Sequence, residues 1–484
     1  MRRTSSRPGS RSSSELASFS RNAAIALLGA IAAFSILGLP ARGDDAGRLD
    51  RLERLEQEIE ATRAEARAIE ARAVPRGPTR NAFVAWGTGF DLLVLDDQET
   101  DPDRRVLHRC GVHGQLHFDF RSFPDKGAPQ KDEFFLRRAR IRTIGTFWKY
   151  DSWVLECDLG RSGFGMRDAY ANLAYWQELQ LRAGQFREPF QLENQSATLY
   201  LDFVERNMMF RTTNVNYDFG AMVHGDLGFL SYKLAIQNGA GLNTLDTNSD
   251  KDVNGRLGLT PFRGSGDALE TLMLGASAGY GHEDNFVPVF STEGNDLGGS
   301  VASTPIAQFL TFPAGTAPTP PGVRSQIGAR FRWGLDGRFE LTPITLQAEY
   351  TQMRVDGILA PVGGRSSLGA RGCYVDLLWM ITGEKYPFSQ RVVPAHNLDP
   401  HEGGYGAWQV AVRWDHLEAD GNDARALGAV GATRCNAFVA GVNWYWTPLL
   451  KLQLNYDLSF FNRPASNTKR DAEDVFMVRF QIEF

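Results

Sequence analysis

Past residue 39 the chain has no uninterrupted apolar run of about 18 residues, so no later segment reads as a membrane-spanning helix. Cysteine is sparse. Cys110, Cys157, Cys373 and Cys435 are scattered without Cys-x-x-Cys spacing, which argues against a metal site. An exported chain is free to oxidise a pair of them, and their positions do not say which. The histidines, His108, His113, His117, His224, His282, His396, His401 and His416, show no metal-ligand spacing and no nucleophile partner. His113 and His117 share a strand face but stand about 13 Å apart. A catalyst that needs nucleophile and base within hydrogen-bond reach has no support here, and no cofactor is implied. Positive charge is also lacking. The chain carries a net charge of -5, and removing the +5 of residues 1–43 leaves about -10, which argues against nucleic acid as a partner. Mean hydropathy is only -0.30 although aromatics make up 11% of the residues. That excludes a bundle of transmembrane helices and leaves a membrane barrel open, because barrel strands have low average hydropathy.

What is present begins at the N-terminus. Arg2, Arg3, Arg7, Arg11 and Arg21 precede an apolar run, 23–39, that ends in Pro40-Ala41-Arg42-Gly43. This reads as a signal peptide over 1–43 with the cut before Asp44; an uncleaved anchor is the alternative. Over 48–74 the pattern turns helical. Leu52, Leu55, Ile59, Thr62, Ala66, Ile69 and Ala73 follow alternating steps of three and four, and Pro75 with Pro78 ends the run. The narrow seam predicts a coiled coil, and with it an oligomer; a solitary charged helix is the alternative. Residues 75–107 read as a linker.

The remainder, 108–484, is organised around residues 134–148, FFLRRARIRTIGTFW. At a period of two, Ala139, Ile141, Thr143, Gly145 and Phe147 fall on one side and Arg138, Arg140, Arg142, Ile144 and Thr146 on the other. Such alternation suits a barrel strand between lipid and a wet lumen, and locally it suits a soluble sandwich equally well. The pattern recurs to the last residue. Trp408, Val410, Val412 and Trp414 alternate with Gln409, Ala411, Arg413 and Asp415; Phe476, Val478, Phe480, Ile482 and Phe484 alternate with Met477, Arg479, Gln481 and Glu483. The segments fall at about 112–121, 135–148, 151–160, 167–176, 179–187, 217–226, 229–238, 252–261, 270–282, 326–341, 344–355, 370–382, 406–418, 435–446, 450–461 and 474–484.

Their connections decide between the two architectures. Tyr150, Gln177-Glu178, Leu227-Gly228, Thr342-Pro343 and Thr447-Pro448-Leu449 are tight turns between even and odd strands. Long connections, such as 188–216 and 283–325, fall on the other side, and 383–405 is a long one on the short-turn side. A soluble sandwich has no reason to sort its loops by length. The expected fold is an all-β, transmembrane antiparallel β-barrel of about sixteen strands, preceded by a short N-terminal coiled-coil helix. Placement in a bacterial outer membrane follows, in contact with its lipid and with the coiled coil in the periplasm. The closing Phe484 resembles the signal read by the outer-membrane assembly machinery.

Three stretches carry a family likeness: Leu136-Arg137-Arg138-Ala139-Arg140-Ile141 followed by Gly145-Thr146; Leu181-Arg182-Ala183-Gly184-Gln185-Phe186-Arg187-Glu188-Pro189-Phe190; and Phe203-Val204-Glu205-Arg206. With Arg167-Asp168-Ala169-Tyr170, Thr382-Gly383-Glu384 and Gly406-Ala407-Trp408, in that order, they resemble the phosphate-selective porin O and P family from about residue 108 to the C-terminus. The resemblance implies a sixteen-stranded homotrimeric channel for small solutes, phosphate or other anions among them. It also implies a third external loop folded inward, here 188–216 with Glu188, Glu205 and Arg206, and an arginine ladder leading to an anion site that also uses lysine.

Lumen parity supplies the candidates. Arg138, Arg140 and Arg142 stand about 6.6 Å apart along one strand, and Arg182, Lys233, Arg330, Arg332 and Arg413 share that parity elsewhere. A row of permanently charged forks can pass a phosphate along bidentate contacts. The same arginines can instead be wall ion pairs. If Tyr150 centres its turn, Arg142 lies opposite Asp158, and Asp119 has the same parity on the preceding strand. Lysine is scarce: Lys126, Lys131, Lys149, Lys233, Lys251, Lys385, Lys451 and Lys469 are all of them, which argues against a lysine-rich site. The expected function is passive diffusion of small hydrophilic solutes. The alternative is a non-conducting barrel that anchors the envelope through its coiled coil.

Overall fold

The computed structural model describes residues 81–86, 90–95, 107–123, 132–146, 150–160, 164–246, 248–282, 288–292, 308–312, 328–359, 365–464 and 472–484. The expected signal peptide and coiled coil lie outside the described residues. The chain divides into two units, one ending at Val112 and also holding Gly145–Lys149, the other containing the rest.

In the first unit, β1 (Asn81–Trp86) and β2 (Phe90–Leu95) form an antiparallel hairpin. The start of β3 (Leu107–Ser122) pairs with β2, Phe90 opposite Val112. The linker expected over 75–107 therefore contains two strands. Its sequence carries a signal for them, since two apolar runs flank Gly87-Thr88-Gly89, and glycine clusters between apolar runs mark hairpins; Phe83 pairs with Leu93 and Val84 with Leu92.

The second unit holds β3 from His113 onward, β4 (Glu133–Thr146) as far as Ile144, β5 (Asp151–Asp158), β6 (Gly165–Leu173), β7 (Gln180–Arg187), β8 (Tyr217–Asp226), β9 (Leu230–Gln237), β10 (Asp252–Leu259) and β11 (Met273–His282). After the short β12 (Phe290–Ser291) and β13 (Gln308–Thr311) come β14 (Ala329–Leu341), β15 (Ile344–Leu359), β16 (Arg365–Met380), β17 (Ala407–Ala419), β18 (Val430–Thr447), β19 (Leu450–Pro464) and β20 (Glu473–Glu483). Each barrel strand pairs antiparallel with its neighbour in sequence, β11 passes to β14, and β20 returns to β3 with Phe480 opposite Phe118. The result is a closed barrel of sixteen strands, β3–β11 and β14–β20. Closure leaves no unpaired edge, which is what lets a sheet stand in hydrocarbon.

Alternation sorts the two faces as expected. Along β17 the inward Gln409, Ala411, Arg413 and Asp415 are all buried, while Val412 and Trp414 are exposed on the outside. Outward rings gather near the short-turn end, where Trp408 stacks on Trp444 at 4.7 Å and Trp444 meets Trp446 at 5.3 Å, as in the aromatic girdles of membrane barrels. Connections are mostly short at that end, with 260–272 and 381–406 as the exceptions, and most are longer at the other.

One strand is built to be reached across. The inward positions of β11 are Gly275, Ser277, Gly279 and Gly281, and flanking side chains meet over them. Arg256 of β10 binds Asp336 of β14 through two contacts of 2.6 and 2.7 Å. Arg332 reaches Asn254 at 2.8 Å across Gly279, and Arg330 pairs with Asp252 across Gly281. The Gly-x-Ser-x-Gly spacing of 275–279 thus belongs to a straight strand, with Ser277 Oγ accepting from Arg256 at 2.9 Å, and not to a nucleophile elbow. A Cβ on Gly281 would overlap the Asp252 carboxylate. Gly281→Ala is expected to lose about 1–3 kcal/mol through overpacking, read as a lower urea midpoint for the folded band in gel-shift unfolding. Gly337→Ala, whose Cβ meets only ordinary contacts, should match the native midpoint.

Candidate functional site: the lumen and its inward loop

The connection from β7 to β8, 188–216, turns into the lumen, as expected. It carries two short helices, α1 (Leu192–Gln195) and α2 (Met208–Thr213), with a 3-10 turn, Thr198–Tyr200, between them. Phe190, Val204 and Met209 within it are fully buried.

Three glutamates peg this loop to wall arginines. Glu188 meets Arg332 at 3.0 Å and Glu193 meets Arg413 at 2.8 Å. Glu205 is held by four guanidiniums: Arg137 at 2.7 Å, Arg479 at 3.1 Å, Arg138 at 3.2 Å and Arg121 at 3.4 Å. Burial alone would push the Glu205 carboxyl up, but Arg137, Arg138 and Arg479 outweigh it and hold it well below the usual carboxylate range. Wall carboxylates bind the loop in return. Glu349 accepts the Leu192 N–H at 2.9 Å and Asp415 the Met208 N–H at 2.7 Å, each at a first helical residue whose N–H has no helical partner. Apolar packing completes the seat: Met208 and Met209 join Phe290, Phe309 and Met353, and Phe203 joins Leu378, Ala411 and Val439. Arg206 staples the loop to itself, donating to the Ser196 carbonyl at 2.9 Å and standing 4.8 Å over the Phe210 ring.

The lumen candidates divide by partner. Arg138 binds Glu205, Arg140 binds Asp158 at 2.8 Å and Glu156 at 3.5 Å, and Arg330 pairs with Asp252. Arg332 binds Glu188 and Asp252 at 3.3 Å, and Arg413 binds Asp376 at 2.7 Å as well as Glu193. Arg142, Arg182 and Lys233 form no ion pair among the described residues. Arg182 donates to Asn172 at 3.4 Å and stacks 4.2 Å over Tyr170, Lys233 donates to Gln195 of the inward loop at 2.7 Å, and the Arg142 Nε has no hydrogen-bond partner.

Two registers differ from expectation. Arg140, not Arg142, meets Asp158, because the Leu159 N–H donates to the Ala139 carbonyl, a register two residues from the expected one. Asp119 takes Arg479 directly opposite on β20, with contacts of 2.7 and 2.8 Å, rather than an arginine of β4. Arg137, which parity alone puts outside, is buried beside Arg138. Glu193 escapes sequence reading because a loop has no parity to place it.

A closed sixteen-stranded barrel with apolar rings outside, charge within and a loop folded into its lumen defines a channel of the outer-membrane porin class. The chain belongs to the phosphate-selective porin O and P family, whose model matches residues 111–484. Porin O of Pseudomonas aeruginosa is 26% identical over 445 residues, covering 86% of this chain and 98% of that protein. Among solved structures, OmpT of Vibrio cholerae in its trimer form aligns with 78% of this chain and 99% of its own at 10% identity and a TM-score of 0.49. The outer membrane channel DcaP of Acinetobacter baumannii aligns with 78% and 97% at 10% identity and 0.48. The chain is an outer-membrane porin.

Glu205 makes the sharpest test of how the loop is held. Glu205→Gln keeps the shape and removes the charge, and breaking a buried pair by loss of one partner costs about 3–5 kcal/mol. The folded variant should show a lower urea midpoint and a noisier, larger single-channel current. An unchanged current in folded protein would mean that the apolar seat alone fixes the loop.

Proposed function

We propose that this porin passes small hydrophilic solutes with a preference for anions, phosphate among them. The observation that carries the reading is the partition of the lumen cations. Arg138, Arg140, Arg330, Arg332 and Arg413 are spent on ion pairs, whereas Arg142, Arg182 and Lys233, on β4, β7 and β9, have no carboxylate partner. A guanidinium or ammonium with no carboxylate in ion-pair contact keeps hydrogen-bonding capacity for an anion; a paired one keeps less. The family description and the similarity to Porin O support the same reading.

The working unit in this proposal is a homotrimer, as in the trimer form of OmpT. The coiled coil of 48–74 would gather the chains in the periplasm, and Phe484 would present the C-terminal strand to the assembly machinery. We read the chain as a channel rather than an enzyme. A second reading, a non-conducting barrel that anchors the envelope, draws on the depth of the inward loop. Its Leu199 carbonyl accepts from Lys451 and Gln481, close to the short-turn end.

Planar-bilayer recording separates these readings. The native protein is expected to conduct, to reverse on the anion side in a salt gradient, and to be blocked by phosphate. In Arg182→Ala/Lys233→Ala the reversal potential should move toward cations and phosphate block should weaken, with conductance kept. Reversal on the cation side without phosphate block in the native protein removes the anion preference, and absence of current supports the anchor.

A further inference from the structure

The inward loop meets the cations of the wall in two chemical forms. Toward Arg332, Arg413 and the guanidiniums gathered at residue 205 it presents carboxylates, those of Glu188, Glu193 and Glu205. Toward Lys233 it presents an amide. Gln195 is the last residue of α1, two positions from Glu193, and its Oε1 accepts from the Lys233 ammonium at 2.7 Å. A glutamate there would have the same reach and would complete an ion pair.

The orientation of that amide is fixed from behind. Gln195 Nε2 donates to the carbonyl of Gln191 at 3.3 Å and to those of Glu188 and Phe190 at 3.4 Å, which leaves Oε1 turned to Lys233. At the height of Lys233 the strands flanking β9 add no carboxylate. His224 of β8 and Arg256 of β10 stand directly opposite it. His224 Nε2 is bonded at 2.7 Å to the Asn172 side-chain oxygen, which also accepts from Arg182, and Arg256 is committed to Asp336. Lys233 and Gln195 are both half-buried, so neither side chain is sealed from solvent.

We propose that Gln195 is a placeholder that sets the specificity of this cation. Its amide oxygen occupies on Lys233 the position that an oxygen of a tetrahedral oxyanion takes, and, being neutral, it yields that position without quenching the charge. Two opposite full charges attract more strongly than an ammonium and an amide dipole. An oxyanion therefore displaces Gln195, whereas Glu188, Glu193 and Glu205 hold their arginines against it. The inference rests on the anion-preferring reading of the lumen and deepens it by naming the loop residue that keeps one cation available.

The test measures block of chloride current by inorganic phosphate, at one pH, with the full-length protein in planar bilayers. Gln195→Leu removes the competing oxygen, and block should tighten about tenfold, the worth of one hydrogen bond to a charged group. Gln195→Glu keeps the shape and pairs Lys233, so block should weaken by about tenfold. In a Lys233→Ala background the Gln195→Leu step should change block by less than about twofold, because the two side chains act as one. The direction of the change separates this role from a structural one, since a loop merely loosened by losing the Nε2 bonds binds phosphate no better. A folded, conducting Gln195→Leu channel that phosphate blocks as it does the native one, or less strongly, overturns the proposal, as does native block in Gln195→Glu. A native channel that phosphate does not block defeats the anion reading itself, so the two failures are distinct.

Discussion

Charge pairing between the inward loop and the wall is the interaction on which this lumen depends. A guanidinium enclosed by protein within a bilayer has lost its water, and it is tolerated only with a carboxylate and further hydrogen bonds in place. Neither partner set is complete without the other. The wall supplies Arg137, Arg138, Arg332, Arg413 and Arg479, and the loop supplies Glu188, Glu193 and Glu205. Because the arginines sit on strands from both halves of the barrel, the loop is fixed in position and height at once. The helices and apolar contacts then fill in around the pegs.

The same pairing makes the lumen asymmetric. Strands β14–β18 turn an inward face to the loop that is apolar at the long-loop end, through Met353, Val355, Leu368 and Leu417, and charge-paired farther down, through Asp376 and Arg413. Strands β4, β7 and β9 carry Arg142, Arg182 and Lys233, which form no ion pair among the described residues. A cation already satisfied by a carboxylate has little to offer a passing ion. On the proposed reading, the three cations without an ion pair, rather than the number of arginines, would carry any attraction of this pore for anions.

Much of the fold was legible in the sequence because backbone geometry imposes a period of two wherever one face meets lipid. Trp408 to Asp415 sort correctly one by one, and the sixteen segments match the sixteen strands. Loop lengths disclosed the two ends, and the odd length of 383–405 was visible too. What escaped was register and everything without periodicity. The register of β5 on β4 differs from the one a turn centred on Tyr150 gives, which moved Asp158 from Arg142 to Arg140. Arg137 turns inward against its parity, and Glu193 lies on a short helix within a loop. The hairpin at 81–95 was hidden for another reason, since its strands are short and sit in a stretch bounded by prolines and charge.

The four-arginine grip on Glu205 has a consequence for how the cylinder comes together. Arg121 lies on β3 and Arg137 and Arg138 on β4, at the start of the barrel, while Arg479 lies on β20, at its end. One carboxylate thus bridges the seam where the last strand meets the first. Asp119 on β3 faces Arg479 across that same seam, so the join between the two ends of the barrel is held by the wall and by the inward loop together, and the loop acts as a clasp on the cylinder as well as a filling of its lumen.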